Sequence, residues 1–185
     1  MIQDEHLLIV AGTGRNVGKT EFVCRLIDKI SSMCEIYSLK VSAVYPDEEN
    51  YHGNHSEDLS KDYLFEEIRR DTVKDTSRML RAGARKAFYL RSDSAGIARG
   101  FSDFRKLIPD KAVIVCESNS LCQFVKPGLL ILISSADEPI KPRARILLKH
   151  ADMIVVSDKI SGFPELDRIE LLDTNKWFLS RQLKG

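Results

Sequence analysis

Gly12-Thr13-Gly14-Arg15-Asn16-Val17-Gly18-Lys19-Thr20 lies between the apolar run His6–Ala11 and a segment, Thr20–Ile30, in which Phe22, Val23, Leu26, Ile27 and Ile30 recur at helical spacing. The run is the pattern of a strand buried on both faces, and the recurrence after it is that of an amphipathic helix. Gly12 and Gly14 at the start of the connecting stretch, and Gly18 near its end, let the main chain curl until successive N–H groups point inward. Such a nest, backed by a helix N-terminus, binds phosphate oxygens. On this reading the backbone from Gly12 through Thr13, Gly14, Arg15, Asn16, Val17 and Gly18 cradles the phosphates. Lys19 reaches the β- and γ-phosphates of a triphosphate, and the Thr20 hydroxyl ligates Mg²⁺. A Gly-Lys-Thr in an arbitrary surface turn would carry no such meaning; the strand before it and the helix after it supply the context.

Outward from this loop, strand-like and helix-like stretches alternate. Glu35–Val44, Lys86–Arg91, Ala112–Cys116, Leu129–Ser134 and Met153–Ser157 read as further strands. Asp75–Ala82, Ala95–Ile108 and the stretch from Pro142 to His150 read as helices. Tyr45–Ser60, rich in acids and asparagines and without an apolar period, reads as a long loop leading into a helix around Lys61–Arg70. A short strand at Arg168–Leu172 and a helix over Thr174–Leu183, carrying Trp177 and Phe178, are expected to close the chain. The pattern predicts one α/β domain over residues 1–185: a mostly parallel sheet covered by helices on both faces, as in the P-loop NTPase fold. In such sheets ligands bind at the carboxyl ends of the strands.

Composition narrows the partners. With 28 Lys and Arg against 27 Asp and Glu, the net charge of +1 provides no overall field for nucleic acid or an anionic membrane. The four cysteines are too few and scattered for a disulfide framework. Acids occupy the first residues, where a signal peptide would be basic, and no apolar run approaches the ~20 residues of a membrane span. A cytoplasmic protein is the expectation.

Several further residues at strand ends are candidates for the site. Glu117, delivered by the strand Ala112–Cys116, would hold Mg²⁺ through water, because this cation dehydrates reluctantly. Lys40, ending the second strand, contacts a γ-phosphate or anionic substrate, or is a solvated lysine. Asp75 either caps a helix or turns its carboxylate to the metal's water shell or a substrate amine. Arg78 and Arg81 read as a solvated face, with Arg78 an alternative anion ligand. Ser118 and Asn119 present polar groups to a substrate or form a turn. Asp158 is placed to read a base, and His52 and His55 read as loop histidines rather than metal ligands. Cys116 reads as a buried apolar residue, and Cys122 has no basic neighbour to activate it.

The Gly-Thr opening followed by Val17-Gly18-Lys19-Thr20 resembles the loop of dethiobiotin synthetase and its relatives in the SIMIBI class of P-loop proteins. Lys74-Asp75-Thr76-Ser77-Arg78-Met79-Leu80-Arg81-Ala82-Gly83-Ala84 resembles a segment of the MobB family (molybdopterin-guanine dinucleotide biosynthesis protein B). The order of loop, strand ending in Lys40, this segment and a strand ending in an acid carries that resemblance from about His6 to Ser120. It implies a nucleotide binder, usually dimeric, that takes GTP or ATP with Mg²⁺, hydrolyses it slowly and serves a partner protein in molybdenum-cofactor maturation. It also sets Asp75 beside Lys19 and Glu117 as an acting residue. Two rival readings are an ATP-dependent small-molecule kinase or ligase of the dethiobiotin-synthetase type, and an interaction module that binds nucleotide without turnover.

Overall fold

Apolar residues at every position of a strand demand cover on both faces, and the fold supplies it. The structure, a computed structural model, describes residues 1–44, 63–135, 140, 144–158, 160 and 162–180. Seven strands form one sheet: β1 (Ile2–Gly12), β2 (Ile36–Ala43), β3 (Tyr63–Glu67), β4 (Lys86–Ser92), β5 (Val113–Glu117), β6 (Val125–Ser135) and β7 (Met153–Ser157). Their spatial order is β3-β4-β2-β5-β1-β6-β7, parallel throughout except for β3, which runs antiparallel to β4 at the edge. Helices α1 (Lys19–Ser31) and α2 (Asp75–Arg81) cover one face through Phe22, Leu26, Ile27, Met79 and Leu80. On the other face, α3 (Ile97–Lys106) and the short α4 (Arg145–Leu148) contribute Ile97, Phe101, Phe104 and Leu147. Along β1, Leu8 and Val10 join the first core while Leu7, Ile9 and Ala11 join the second, all fully buried. The result is α/β with a mostly parallel sheet between helices, an arrangement compatible with the P-loop fold. Among the described residues no helix is long and apolar enough to cross a membrane.

Two segments take a different form from the one their composition suggests. Within the helix expected over Lys61–Arg70, Tyr63–Glu67 is instead β3, in register Leu64↔Leu90 and Phe65↔Tyr89 against β4. Pairing there satisfies the edge of β4, and Glu67 turns inward as a buried acceptor for Thr76 Oγ1 (3.3 Å) and the Arg69 N–H (2.9 Å). The expected C-terminal helix is instead the second arm of a hairpin, β8 (Ile169–Leu171) and β9 (Trp177–Leu179). Its turn closes through Asn175, at φ 60°, whose N–H donates to Leu172 C=O (2.8 Å). Asn tolerates this left-handed conformation, so Asp173-Thr174-Asn175 acts as a turn where helical spacing was read. The buried Trp177 ring then donates from Nε1 to His6 C=O (2.8 Å). Of the stretch expected to run from Pro142 to His150, Arg145–Leu148 is α-helical; Pro142, the loop Tyr45–Ser60 and its histidines lie outside the described residues.

The hairpin's side of the molecule also anchors α1. Lys29 Nζ donates to the carbonyls of Leu166 (2.6 Å) and Ile169 (3.4 Å), and Phe22 meets Phe163 edge-on with ring centroids 5.1 Å apart. On β1 the pairing with β6 shifts register between Asp4 and Leu8, opposite Gly128. A Cβ at Gly128 would come within 2.3 Å of the Glu5 carbonyl oxygen, which is main chain and cannot swing away. Gly128→Ala is therefore expected to lower stability by about 1–3 kcal/mol, measured by urea denaturation.

Candidate functional site

Parallel strands bring all their carboxyl ends to one edge, and register decides which side chains meet there. In the ladders, Val10 and Lys40 lie on either side of Glu117 as its direct partners. Neighbours in register share a face, so Lys40 and Glu117 both project toward α1 and α2. The loop leaves β1 at this edge. Thr13 N–H donates to Ile133 C=O (2.9 Å), tying the first loop residue to β6. Asn16 (φ 55°) and Gly18 (φ 95°) take left-handed conformations that turn the chain back into α1. Gly18 C=O accepts the first intrahelical bond, from Phe22 N–H at 3.0 Å. The N–H groups of residues 18–21 thus have no intrahelical acceptor, and Gly18 offers no capping side chain. They form a donor set at a positive helix end.

The loop is folded tightly over its own start. A Cβ at Gly12 would lie 2.8 Å from both Lys19 Cδ and Val17 Cγ2, so glycine is required by close approach. Thr13 is buried, and its Oγ1 has no partner among the described residues. Lys19 Nζ donates to Gly14 C=O at 3.1 Å, while Arg15 and Asn16 face outward.

Beyond the loop a string of alternating charges begins at Thr20. Its hydroxyl donates to Glu117 Oε2 (2.8 Å), and the other Glu117 oxygen accepts from Lys40 Nζ (2.5 Å). The same ammonium donates to Asp75 Oδ2 (2.7 Å), and Asp75 Oδ1 lies 4.0 Å from Arg78 Nη1. Arg78 continues to Glu21 (2.8 Å), whose other oxygen meets Arg25 (2.9 Å). Glu117 is 2 % exposed and Lys40 19 %. Burial works against the Lys40 charge, yet Glu117 and then Asp75 outweigh it and hold its pKa above the usual 10.5.

The structure thus brings Lys19, Thr20, Lys40, Asp75 and Glu117 to one edge and shows what each touches there. Lys40 is an internal ion-pair partner rather than a solvated lysine. Asp75 makes no capping bond: Lys74 holds the N-cap position of α2 without a side-chain bond, and the Asp75 carboxylate turns to Lys40. Arg81 is exposed, as a solvated face requires, whereas Arg78 is partly buried. Arg78 pairs with Glu21, and Arg81 donates to the carbonyls of Arg70 and Thr72. Asn119 holds both main-chain groups of Gly12, a role that neither the substrate nor the turn reading contained. The Glu21–Arg25 spacing of four was legible in the sequence; the Arg78 contact across two helices was not. Asp158, just past the end of β7, is exposed and accepts from Ile160 N–H (2.8 Å). Beside it Gly18, Arg25, Ser157 and Phe163 line a recess of about 110 Å³. A larger recess of about 640 Å³, among Gln3, Asp4, His6, Ser102 and Arg105, lies at the opposite end of β1, away from this chemistry.

The donors fit a magnesium–phosphate group. No cluster of three or more His, Cys, Asp or Glu among the described residues could hold a metal. A hydroxyl and one carboxylate are the sparse, hard oxygen set with which Mg²⁺ keeps its waters and takes the rest of its ligands from phosphates. The Thr13 hydroxyl, without a partner among the described residues, and the helix-end amides, which have no intrahelical acceptor, suit an anion on the loop side. Comparison with protein-family models, with curated proteins and with solved structures gave no match.

Two outcomes test this arrangement. Replacing Lys40→Met leaves Glu117 buried and uncompensated, and is expected to cost about 3 kcal/mol in chemical denaturation, with the Lys40→Met/Glu117→Gln double variant recovering part of it. Because the Lys40 pKa is raised, its contribution is complete below the ordinary 10.5 and disappears only as pH rises through the higher folded value. The cysteines should be slow nucleophiles. Burial pushes Cys24 and Cys122 up to about 11 and raises Cys116 well above its ordinary range, so native alkylation at pH 8 should be far slower than in urea.

Proposed function

We propose that the protein is a P-loop nucleotide-binding protein that takes GTP or ATP with Mg²⁺ and hydrolyses it slowly. The observation that carries this reading is the 2.8 Å bond between Thr20 and Glu117, residues 97 positions apart. Each was singled out in the sequence as a metal ligand, from a different motif. When bound, Mg²⁺ would neutralise charge developing on the terminal phosphates. The chain's own residues do the rest. The amides of the loop and of the first turn of α1 orient the phosphates, Lys19 moves from Gly14 C=O to the phosphate oxygens, and Thr20 and Glu117 hold the cation. Lys40 and Asp75 present a cation and a carboxylate beside Glu117. Among the described residues, Glu117 and Asp75 are each engaged with a base or hydroxyl, which leaves neither poised to activate water and is consistent with slow turnover. The MobB resemblance of residues 74–84 supports a further part of the proposal: a homodimeric adaptor acting with a partner protein in molybdenum-cofactor maturation, in the cytoplasm, where its four unpaired cysteines would stay reduced.

A specific observation also favours the dethiobiotin-synthetase type of kinase or ligase. The Lys40–Asp75 pair, partly open to solvent, offers an acceptor both a cation and an anion next to the metal residues. Fluorescent GTP and ATP titrations with and without Mg²⁺ test both readings. Lys19→Ala is expected to weaken binding about tenfold or more, since a charge-assisted contact contributes about 1.5–3 kcal/mol. Glu117→Gln should abolish the Mg²⁺ dependence. Equal binding by parent and Lys19→Ala would remove the proposal, and phosphate release that rises only with a small-molecule acceptor would select the second reading.

A further inference from the structure

Residues 117–119 grip the loop at both ends. Glu117 accepts the Thr20 hydroxyl where the loop runs into α1 (2.8 Å), and Ser118 N–H donates to Val10 C=O (3.0 Å). Asn119 then pairs with both main-chain groups of Gly12: Gly12 N–H donates to Oδ1 (2.8 Å) and Nδ2 donates to Gly12 C=O (3.0 Å). The β1–β5 ladder ends at Val10↔Glu117, so Gly12 lies past its last rung. A planar carboxamide carries a donor and an acceptor side by side, and here it replaces the strand residue that β5 no longer supplies. Gly12 is also the residue over which Val17 and Lys19 close, at distances that leave no room for a Cβ. Fixing its peptide groups therefore fixes where the loop begins.

We propose that Asn119 is a positioning residue: by clamping Gly12 it sets the loop amides for an anionic ligand before that ligand arrives, and so reduces the ordering cost of binding. The inference rests on the nucleotide reading above and assigns affinity to a side chain that need not touch the ligand. The core beneath depends little on the clamp, since Leu7–Ala11 are fully buried by apolar packing. Its loss should be felt locally.

Hydrogen exchange on the nucleotide-free full chain, together with MgGTP and MgATP titrations, tests this with Asn119→Ala and Asn119→Asp. The aspartate keeps an acceptor for Gly12 N–H but sets an oxygen against Gly12 C=O. Both variants are expected to speed exchange at residues 12–18 while residues 7–10 stay protected, and to weaken triphosphate binding about tenfold, the scale of one or two hydrogen bonds. The thermal midpoint should move by no more than about 4 °C. Unchanged loop exchange overturns the clamp whatever the nucleotide does. Faster loop exchange with unchanged affinity overturns the positioning role, and faster exchange throughout β1 and β5 makes Asn119 a support of the sheet instead. A parent chain that binds neither triphosphate overturns the nucleotide reading and this role with it; the exchange data need no ligand and tell that failure from failure of the clamp.

Discussion

A carboxylate with 2 % of its side chain exposed has lost most of its water and needs a partner in its place, and for Glu117 that partner is the ammonium of Lys40, 2.5 Å away. Much else at this edge of the sheet depends on that pairing. It requires β2 and β5 to lie in the register that sets the two residues side by side on one face. It leaves the second Glu117 oxygen to receive Thr20 and so fixes the start of α1. It also draws Asp75, and with it the beginning of α2, toward the same point. An apolar pair would bury more cheaply, but it would offer neither an oxygen for the proposed metal nor a cation for the proposed phosphate.

The charges continue from there in strict alternation, through Asp75, Arg78, Glu21 and Arg25. The inner members are buried and the outer ones about half exposed, so strength declines outward: the Lys40–Glu117 contact carries structural weight, and the Glu21–Arg25 pair adds little by itself. The string nevertheless joins α1 to α2 through side chains that begin at the proposed metal residues. Any ligand that drew Lys40 or Glu117 toward itself would alter the contacts of Asp75, and thereby of α2, without moving the sheet.

What was legible in the sequence is what depends on local spacing. Runs such as Leu7–Ala11 announce strands covered on two sides, and Phe22, Leu26 and Ile30 announce the inner face of α1, because periodicity and burial are linked residue by residue. Gly12, Gly18, Lys19, Thr20 and Glu117 stood out because their types and their places at element ends agree. Lys40 and Asp75 were ambiguous, since whether a strand-end lysine meets water or an acid depends on the register of a strand that pairs with it from 77 positions away. Asn119 was singled out, but its hold on Gly12 was beyond reach for the same reason. Both misread segments, β3 and β9, are short strands whose partners decide their form: the open edge of β4 draws in Tyr63–Glu67, and a left-handed Asn175 turns Trp177–Leu179 back upon β8. Over five residues or fewer, intrinsic preference yields to such tertiary demands.

The C-terminal hairpin reaches back to the first strand. Trp177 bonds to His6 C=O, His6 Nδ1 lies 2.8 Å from Asn175 O, and Lys176 pairs with Glu5 at 2.5 Å. These contacts hold the hairpin against the amino end of β1, with the whole length of that strand between them and the glycine loop. A change that loosened the hairpin would therefore act first on the start of β1, at the edge of the sheet remote from Lys40 and Glu117.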